Sequence, residues 1–249
     1  MNAMLLVAGA GFLGGAMNAL AGGGSFVTLP ALIAAGVPPV QANASSTVAL
    51  LPGGLASAWA YRAGLGAVCN VALWPLVAIT VAGGLAGAVL LLVTPARVFD
   101  LVLPWLLLIA ALTLMFGAPL REALRRRVHI GLGAVLTVQF LLGIYGGYFG
   151  GAVGIMMMAV WTLFGATDLK ALAGPRTLLV SAANAVAVVA FVIAHAVQWP
   201  ETIVMLVGAT VGGWGAAALG RRAPPGLVRA ATLLLTACVT ATFFARTYG

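Results

Sequence analysis

The stretch Gly22-Gly23-Gly24-Ser25-Phe26-Val27-Thr28-Leu29-Pro30-Ala31-Leu32 decides how the whole chain folds. It follows an apolar run at 3–20, and the apolar run it opens, 24–36, stops at Gly36-Val37-Pro38-Pro39. At 1.5 Å per residue this second run reaches only about 20 Å, whereas the hydrocarbon core of a bilayer is about 30 Å thick. A helix that short enters partway and returns. The arrangement recurs at Gly146-Gly147-Tyr148-Phe149-Gly150-Gly151, which divides a run at 128–149 from one at 150–166 that reaches about 25 Å. Each pair reads as a helical hairpin broken by glycine.

Outward from the hairpins, the remaining apolar runs are 43–61, 70–94, 99–117, 175–195, 200–220 and 226–245, lengths suited to full crossings. Of 249 residues, 63% are hydrophobic and 6% charged, against ~25% charged in soluble proteins, and the mean hydropathy is +1.16. A soluble, disordered, collagenous or coiled-coil protein is excluded. The fold class is all-α, a polytopic membrane protein. Ala19-Leu20-Ala21 superficially resembles a cleavage site, but no Lys or Arg precedes Arg62, so residues 1–22 are expected to belong to the mature fold. Cys69 and Cys238 lack CxxC spacing and read as packed thiols, without a disulfide or a metal. No cofactor is expected. The formal charge of +8 belongs in cytoplasmic loops rather than on a nucleic acid.

The chain also repeats itself. Gly11, Gly14 and Gly15 recur as Gly143, Gly146 and Gly147; Gly36, Ala42 and Ala44 as Gly165, Ala171 and Ala173; Trp74-Pro75 as Trp199-Pro200; and Gly83 and Gly87 as Gly208 and Gly212. This predicts a first transmembrane repeat at 1–117, a basic cytoplasmic linker at 118–127 holding Arg121, Arg125, Arg126 and Arg127, and a second repeat at 128–249. A hairpin changes no side and three crossings change it once, so the second repeat starts from the opposite face and the repeats are inverted. With the linker inside, Arg62, Lys170, Arg176, Arg221, Arg222 and Arg229 also fall inside, and only Arg97 and Arg246 fall outside. Both termini are then outside.

Inverted repeats with matched, glycine-broken short helices are the sequence pointer to a secondary transporter with its site at the bilayer midplane. A helix broken in mid-membrane exposes peptide N–H groups that lipid cannot satisfy, so protein, water or a ligand must meet them. The positive end of the helix dipole and the close approach allowed by glycine both favour an anion. The acidic residues Asp100, Glu122, Asp168 and Glu201 all fall at or near segment ends, where they neutralise no buried cation.

The motif at 22–32, followed by Gly36-Val37-Pro38-Pro39 and Ala42, resembles the first-repeat signature of the sulfite exporter TauE/SafE family, also called the TSUP or four-toluene-sulfonate uptake family. Gly143-Ile144-Tyr145-Gly146-Gly147-Tyr148-Phe149-Gly150, Gly154-Ile155-Met156 and Asn184-Ala185-Val186 are similar to its second-repeat pattern. The resemblance covers nearly the whole chain. It implies a prokaryotic inner-membrane carrier that moves sulfite, sulfonates, thiosulfate or other sulfur-containing anions. Ala152-Val153 departs from the family, which usually has another glycine there, and Pro175-Arg176 stands where more neutral residues are common.

The candidate substrate-binding residues are Asn18, Gly22, Gly23, Gly24 and Ser25 at the first tip, Asn43, Ser45 and Ser46 in the next helix, Tyr145, Gly150, Gly151 and Gly154 at the second tip, and Arg176 and Asn184 beyond it. Each has a plainer reading. The glycines permit a tight turn or close helix packing, and Asn43, Ser45, Ser46 and Thr47 suit capping or interhelical bonds. Tyr145 and Tyr148 suit packing, and Arg176 suits a snorkelled topology determinant that could also attract an anion at the cytoplasmic mouth. Asn184 is the sharper case, because a lone amide about midway through an apolar helix needs a partner. Asp168 is the candidate for proton coupling, unless the proton travels on a weakly acidic substrate. Gly9-Ala10-Gly11-Phe12-Leu13-Gly14 matches GxGxxG but lacks an acidic residue about 20 positions on, so no dinucleotide site is expected. His129 and His195 lie near opposite surfaces, and catalysis finds no support.

Partners are therefore the lipid bilayer, a small sulfur-containing anion and a proton if transport is coupled; the oligomeric state is open. The alternative is a non-transporting membrane subunit that docks a partner through its basic linker. In a chain lacking Cys69 and Cys238, a cysteine at Arg126 is expected to resist an impermeant maleimide added to intact cells, and one at Gly249 to react; the reverse pattern inverts the topology.

Overall fold

The computed structural model describes residues 3–124, 131–164, 166, 168, 171–219 and 225–249. The elements are helices: α1 Ala3–Ala21, α2 Ser25–Ala34, α3 Pro39–Ala60, α4 Leu73–Val93, α5 Ala96–Leu124, α6 Leu132–Tyr148, α7 Val153–Leu163, α8 Ala173–Ile193, α9 Trp199–Leu219 and α10 Pro225–Tyr248, with one 3₁₀ turn at Arg62–Gly64. Each apolar run read from the sequence overlaps one of them. Among the described residues, α1, α4, α5, α8 and α10 are long and apolar enough to cross a membrane. The helix α3 matches them in length, but its first half carries Gln41, Asn43, Ser45, Ser46 and Thr47. The short helices α2 and α7, of 10 and 11 residues, each follow a longer helix through a glycine-rich turn. Arg121 and Glu122 are strong helix formers, and α5 extends through them to Leu124, seven residues past the apolar run that ends at 117. Arg125, Arg126, Arg127, His129, Lys170, Arg221 and Arg222 lie outside the described residues.

Packing is matched between the first five helices and the last five. The helix α1 lies along α9 as α6 lies along α4; α3 meets α9 as α8 meets α4; and α2 touches α10 as α7 touches α5. Two pairs join counterparts, α3 with α8 and α5 with α10. Both run antiparallel: Ser45, Gly54 and Tyr61 of α3 and the turn after it face Gln198, Ser181 and Gly174 in turn, and the start of α5 meets the end of α10 through Trp105 and Tyr248.

Backbone contact at small residues holds the two extensive pairs. Gly11 and Gly15 press on the backbone of Met205 and Ala209, while Gly208 and Gly212 press on that of Ala8 and Phe12. Gly83 and Gly87 lie against Phe140 and Ile144, with Gly143 and Gly147 against Thr80 and Gly84. Lipid tails are as apolar as leucine, so close van der Waals contact, rather than escape from water, draws these helices together. A Cβ at Gly15 would strike the carbonyl of Ala209, and one at Gly147 that of Gly84. Gly15→Ala and Gly147→Ala are each expected to cost about 1–3 kcal/mol by forcing backbones apart, read as an earlier thermal transition in detergent. Gly53→Ala, which meets nothing within 4 Å, serves as the control.

Candidate functional site

The two hairpin turns share a left-handed glycine and differ just before the short helix, where Ala152 (φ 59°) is also left-handed and Gly24 (φ -57°) is not. Gly22 (φ 75°) and Gly150 (φ 76°) each take a left-handed backbone three residues before a short helix begins, at Ser25 and Val153. Glycine enters this region without strain, which explains the break at these points. After the first turn, the amides of Phe26, Val27 and Thr28 find the carbonyls of Gly23 and Gly24. After the second, Ile155 and Met156 find that of Ala152. Among the described residues, the amides of Gly24 and Ser25, and of Val153 and Gly154, then have no backbone carbonyl as partner.

A cavity of about 100 Å³ lies where these ends meet α3 and α8, lined by Asn18, Ala19, Gly22, Ser25, Gly150, Val153, Gly154 and Ile155 from the hairpins. Its other walls are two stripes at helical spacing: Thr47, Leu50, Gly54, Ser57 and Tyr61 along α3 and its end, and Arg176, Thr177, Val180, Ser181 and Asn184 along α8. The volume holds several waters or one compact ligand. Inside it, a Cβ on Gly150 would sit 3.7 Å from Asn184 Oδ1 and 3.9 Å from Thr47 Oγ1. Asn184 Oδ1 and Ser181 Oγ are buried without a hydrogen-bond partner. The aliphatic stem of Arg176 lies beside Gly154, at the end of the cavity near Tyr61.

The opposite end of α3 is closed. Residues 42–50 are all buried, the backbone N–H of Gln198 donates to Ser45 Oγ (2.9 Å), and Gln198 Nε2 donates to Gln41 Oε1 (2.7 Å).

The candidates from the sequence therefore divide. Asn18, Gly22, Ser25, Gly150, Gly154, Arg176 and Asn184 come together on the cavity wall. Gly23, Gly24, Asn43, Ser45, Ser46, Tyr145 and Gly151 lie off it. Gly24 is wedged against Gly14 and Asn18, Gly23 faces Phe26, and Gly151 sits on the Phe149 ring. Asn43 Nδ2 donates to the Tyr148 carbonyl (2.8 Å), Ser46 Oγ pairs with Thr28 Oγ1 (2.6 Å), and Tyr145 donates to the Leu106 carbonyl (3.1 Å). Asp168 is exposed, and its Oδ1 accepts from the Ala171 N–H (3.2 Å). Thr177, Ser181 and Gly54 are added by the structure. The spacing of Thr177, Ser181 and Asn184, four and three residues apart, is the signal that could have found the first two.

Residues 7–243 match the sulfite exporter TauE/SafE family. The chain belongs to this family. It is 30% identical over 239 residues to the probable membrane transporter protein YfcA of Escherichia coli (strain K12), covering 95% of this chain and 88% of that protein. A probable membrane transporter protein of Haemophilus influenzae is 30% identical over 203 residues, with 81% and 79% covered. The probable membrane transporter protein ORF9 of a Sinorhizobium species is 31% identical over 204 residues, with 82% and 77% covered. No solved structure matches. Family and helices together make this a multi-pass membrane protein of the TauE/SafE transporter type.

Asn43 and Asn184 of this TauE/SafE chain should respond differently to truncation. Asn43→Ala strands the Tyr148 carbonyl in a buried place and is expected to cost about 1–3 kcal/mol. Asn184→Ala removes a carbonyl oxygen that already lacks a partner, so its thermal transition should stay near that of the wild type.

Proposed function

We propose that the protein is a secondary transporter, an exporter of sulfur-containing organic or inorganic anions such as sulfite, sulfonates or thiosulfate. The observation that carries this reading is a cavity in which both hairpin ends meet the polar stripe of α8. Open N–H groups from two helix starts lie beside it, an anion-binding chemistry that needs no buried lysine. Among the described residues, Arg176 contributes the one positive charge on its wall.

The transport cycle we infer is alternating access, with the repeats 1–117 and 128–249 inverted about the linker 118–127 and rocking around a midplane site. The antiparallel pairing of α3 with α8 and α5 with α10 supports the inversion, since counterparts of inverted repeats must oppose each other. In the orientation with the linker inside an inner membrane and both termini outside, the Tyr61–Arg176 end of the cavity faces the cytoplasm. Gln41, Ser45 and Gln198 then close the outer side. Asp168 is the residue proposed for any proton coupling; otherwise the proton rides on the substrate. A non-transporting subunit docking a partner through the basic linker 118–127 is the other reading, and it has no use for unpaired polar atoms around a cavity.

Proteoliposomes test the proposal directly. Wild-type protein is expected to move sulfite, thiosulfate or methanesulfonate, and Arg176→Ala to raise KM several-fold with less effect on the maximal rate. Transport of none of the three would refute it. Indifference to an imposed pH gradient would remove the proton, and an unchanged rate in Asp168→Asn would remove that residue's role.

A further inference from the structure

Among the described residues, the buried hydroxyls other than that of Ser181 have hydrogen-bond partners. Thr28, Thr80, Thr236 and Thr240 each donate to the carbonyl four residues back, as Ser and Thr commonly do within membrane helices. Ser181 is the exception on the cavity wall: it is 2% exposed, and its Oγ has no partner. Across from it stands Gly54, where an added Cβ would come within 3.2 Å of that oxygen. The hydroxyl therefore faces a bare stretch of backbone. One turn along α8 lies Asn184, whose Oδ1 is likewise unpaired. An unpaired buried polar group costs stability, and a pair of them on one face of one helix is explained when a guest supplies the missing bonds.

We propose that Ser181 is a ligand-contacting hydroxyl which, with Asn184, holds a compact oxyanion. The inference rests on the anion-carrier reading and narrows it. The Ser181 hydroxyl and Asn184 Nδ2 can donate to oxyanion oxygens, whereas Asn184 Oδ1 accepts and gains a partner only from a protonated ligand oxygen, as in hydrogen sulfite. A space of about 100 Å³ suits ions the size of sulfite or methanesulfonate better than the bulkier arylsulfonates.

Thermal unfolding of the full-length protein in detergent tests this, with sodium sulfite, sodium methanesulfonate and sodium p-toluenesulfonate as probes and sodium chloride matching ionic strength. The wild type is expected to be stabilised more by the first two than by the third. Ser181→Ala should unfold at the same or a higher temperature without ligand, because a cost is removed, yet bind sulfite about tenfold more weakly. Ser181→Cys, close in shape with a weak donor, should fall between. A full sulfite response in Ser181→Ala, or a lower ligand-free transition, would overturn the role of Ser181 and leave the carrier reading standing. Stabilisation by p-toluenesulfonate equal to that by sulfite would overturn the size preference. No response of the wild type to any probe would overturn both readings.

Discussion

A peptide N–H without a carbonyl partner cannot rest against hydrocarbon, and the architecture depends on how two such breaks are accommodated. Each costs several kcal/mol if abandoned, so a chain that stops a helix in mid-membrane must bring other groups to the stump. Here the stumps of α2 and α7 are brought to one place, against the polar stripes of α3 and α8. The left-handed turns at Gly22 and Gly150 make the breaks sharp enough for both short helices to fold back on α1 and α6. Neither hairpin could exist alone in lipid.

Glycine thus does two different jobs in this chain. In α1, α4, α6 and α9 it lets backbones touch, producing two zipped pairs of long helices that form a stiff frame. At the tips it bends the backbone and leaves room beside open amides. The GxxxG spacing of Gly11 and Gly15 belongs to the first job, whereas the identical spacing of Gly150 and Gly154 belongs to the second. The same interval carries opposite meanings because one pair lies inside a continuous helix and the other spans a turn.

The electrostatics are correspondingly mild. Among the described residues, the cavity wall holds one guanidinium, hydroxyls, amides, backbone and the aliphatic side chains of Leu50, Val153, Ile155 and Val180, with no carboxylate. Neutral donors attract an anion without the deep trap that a cluster of buried cations would create, which suits a site that must also release its guest. The hydrogen bonds of Gln198 to Ser45 and Gln41 are neutral too, and bonds of that kind can be exchanged at modest cost as helices shift.

Much of this was legible in one dimension. Hydrophobic run lengths located the ten helices, and the shortfall of 24–36 marked the first hairpin, since the bilayer imposes a length that composition alone can test. Orientation of side chains was not legible. Asn43, Ser45, Ser46 and Tyr145 stood among the ligand candidates beside the sharper case of Asn184, yet they spend their hydrogen bonds on Tyr148, Gln198, Thr28 and Leu106. Ser181 drew no notice in the sequence, although it stands one turn from Asn184. In a helix buried on many sides every face is apolar enough to be interior, so periodicity no longer tells one face from another. Local sequence determined where the chain is helical and where it breaks; which polar atoms remain unpaired was decided only by tertiary packing, because a hydrogen-bond partner a hundred residues away leaves no mark on the residues beside it.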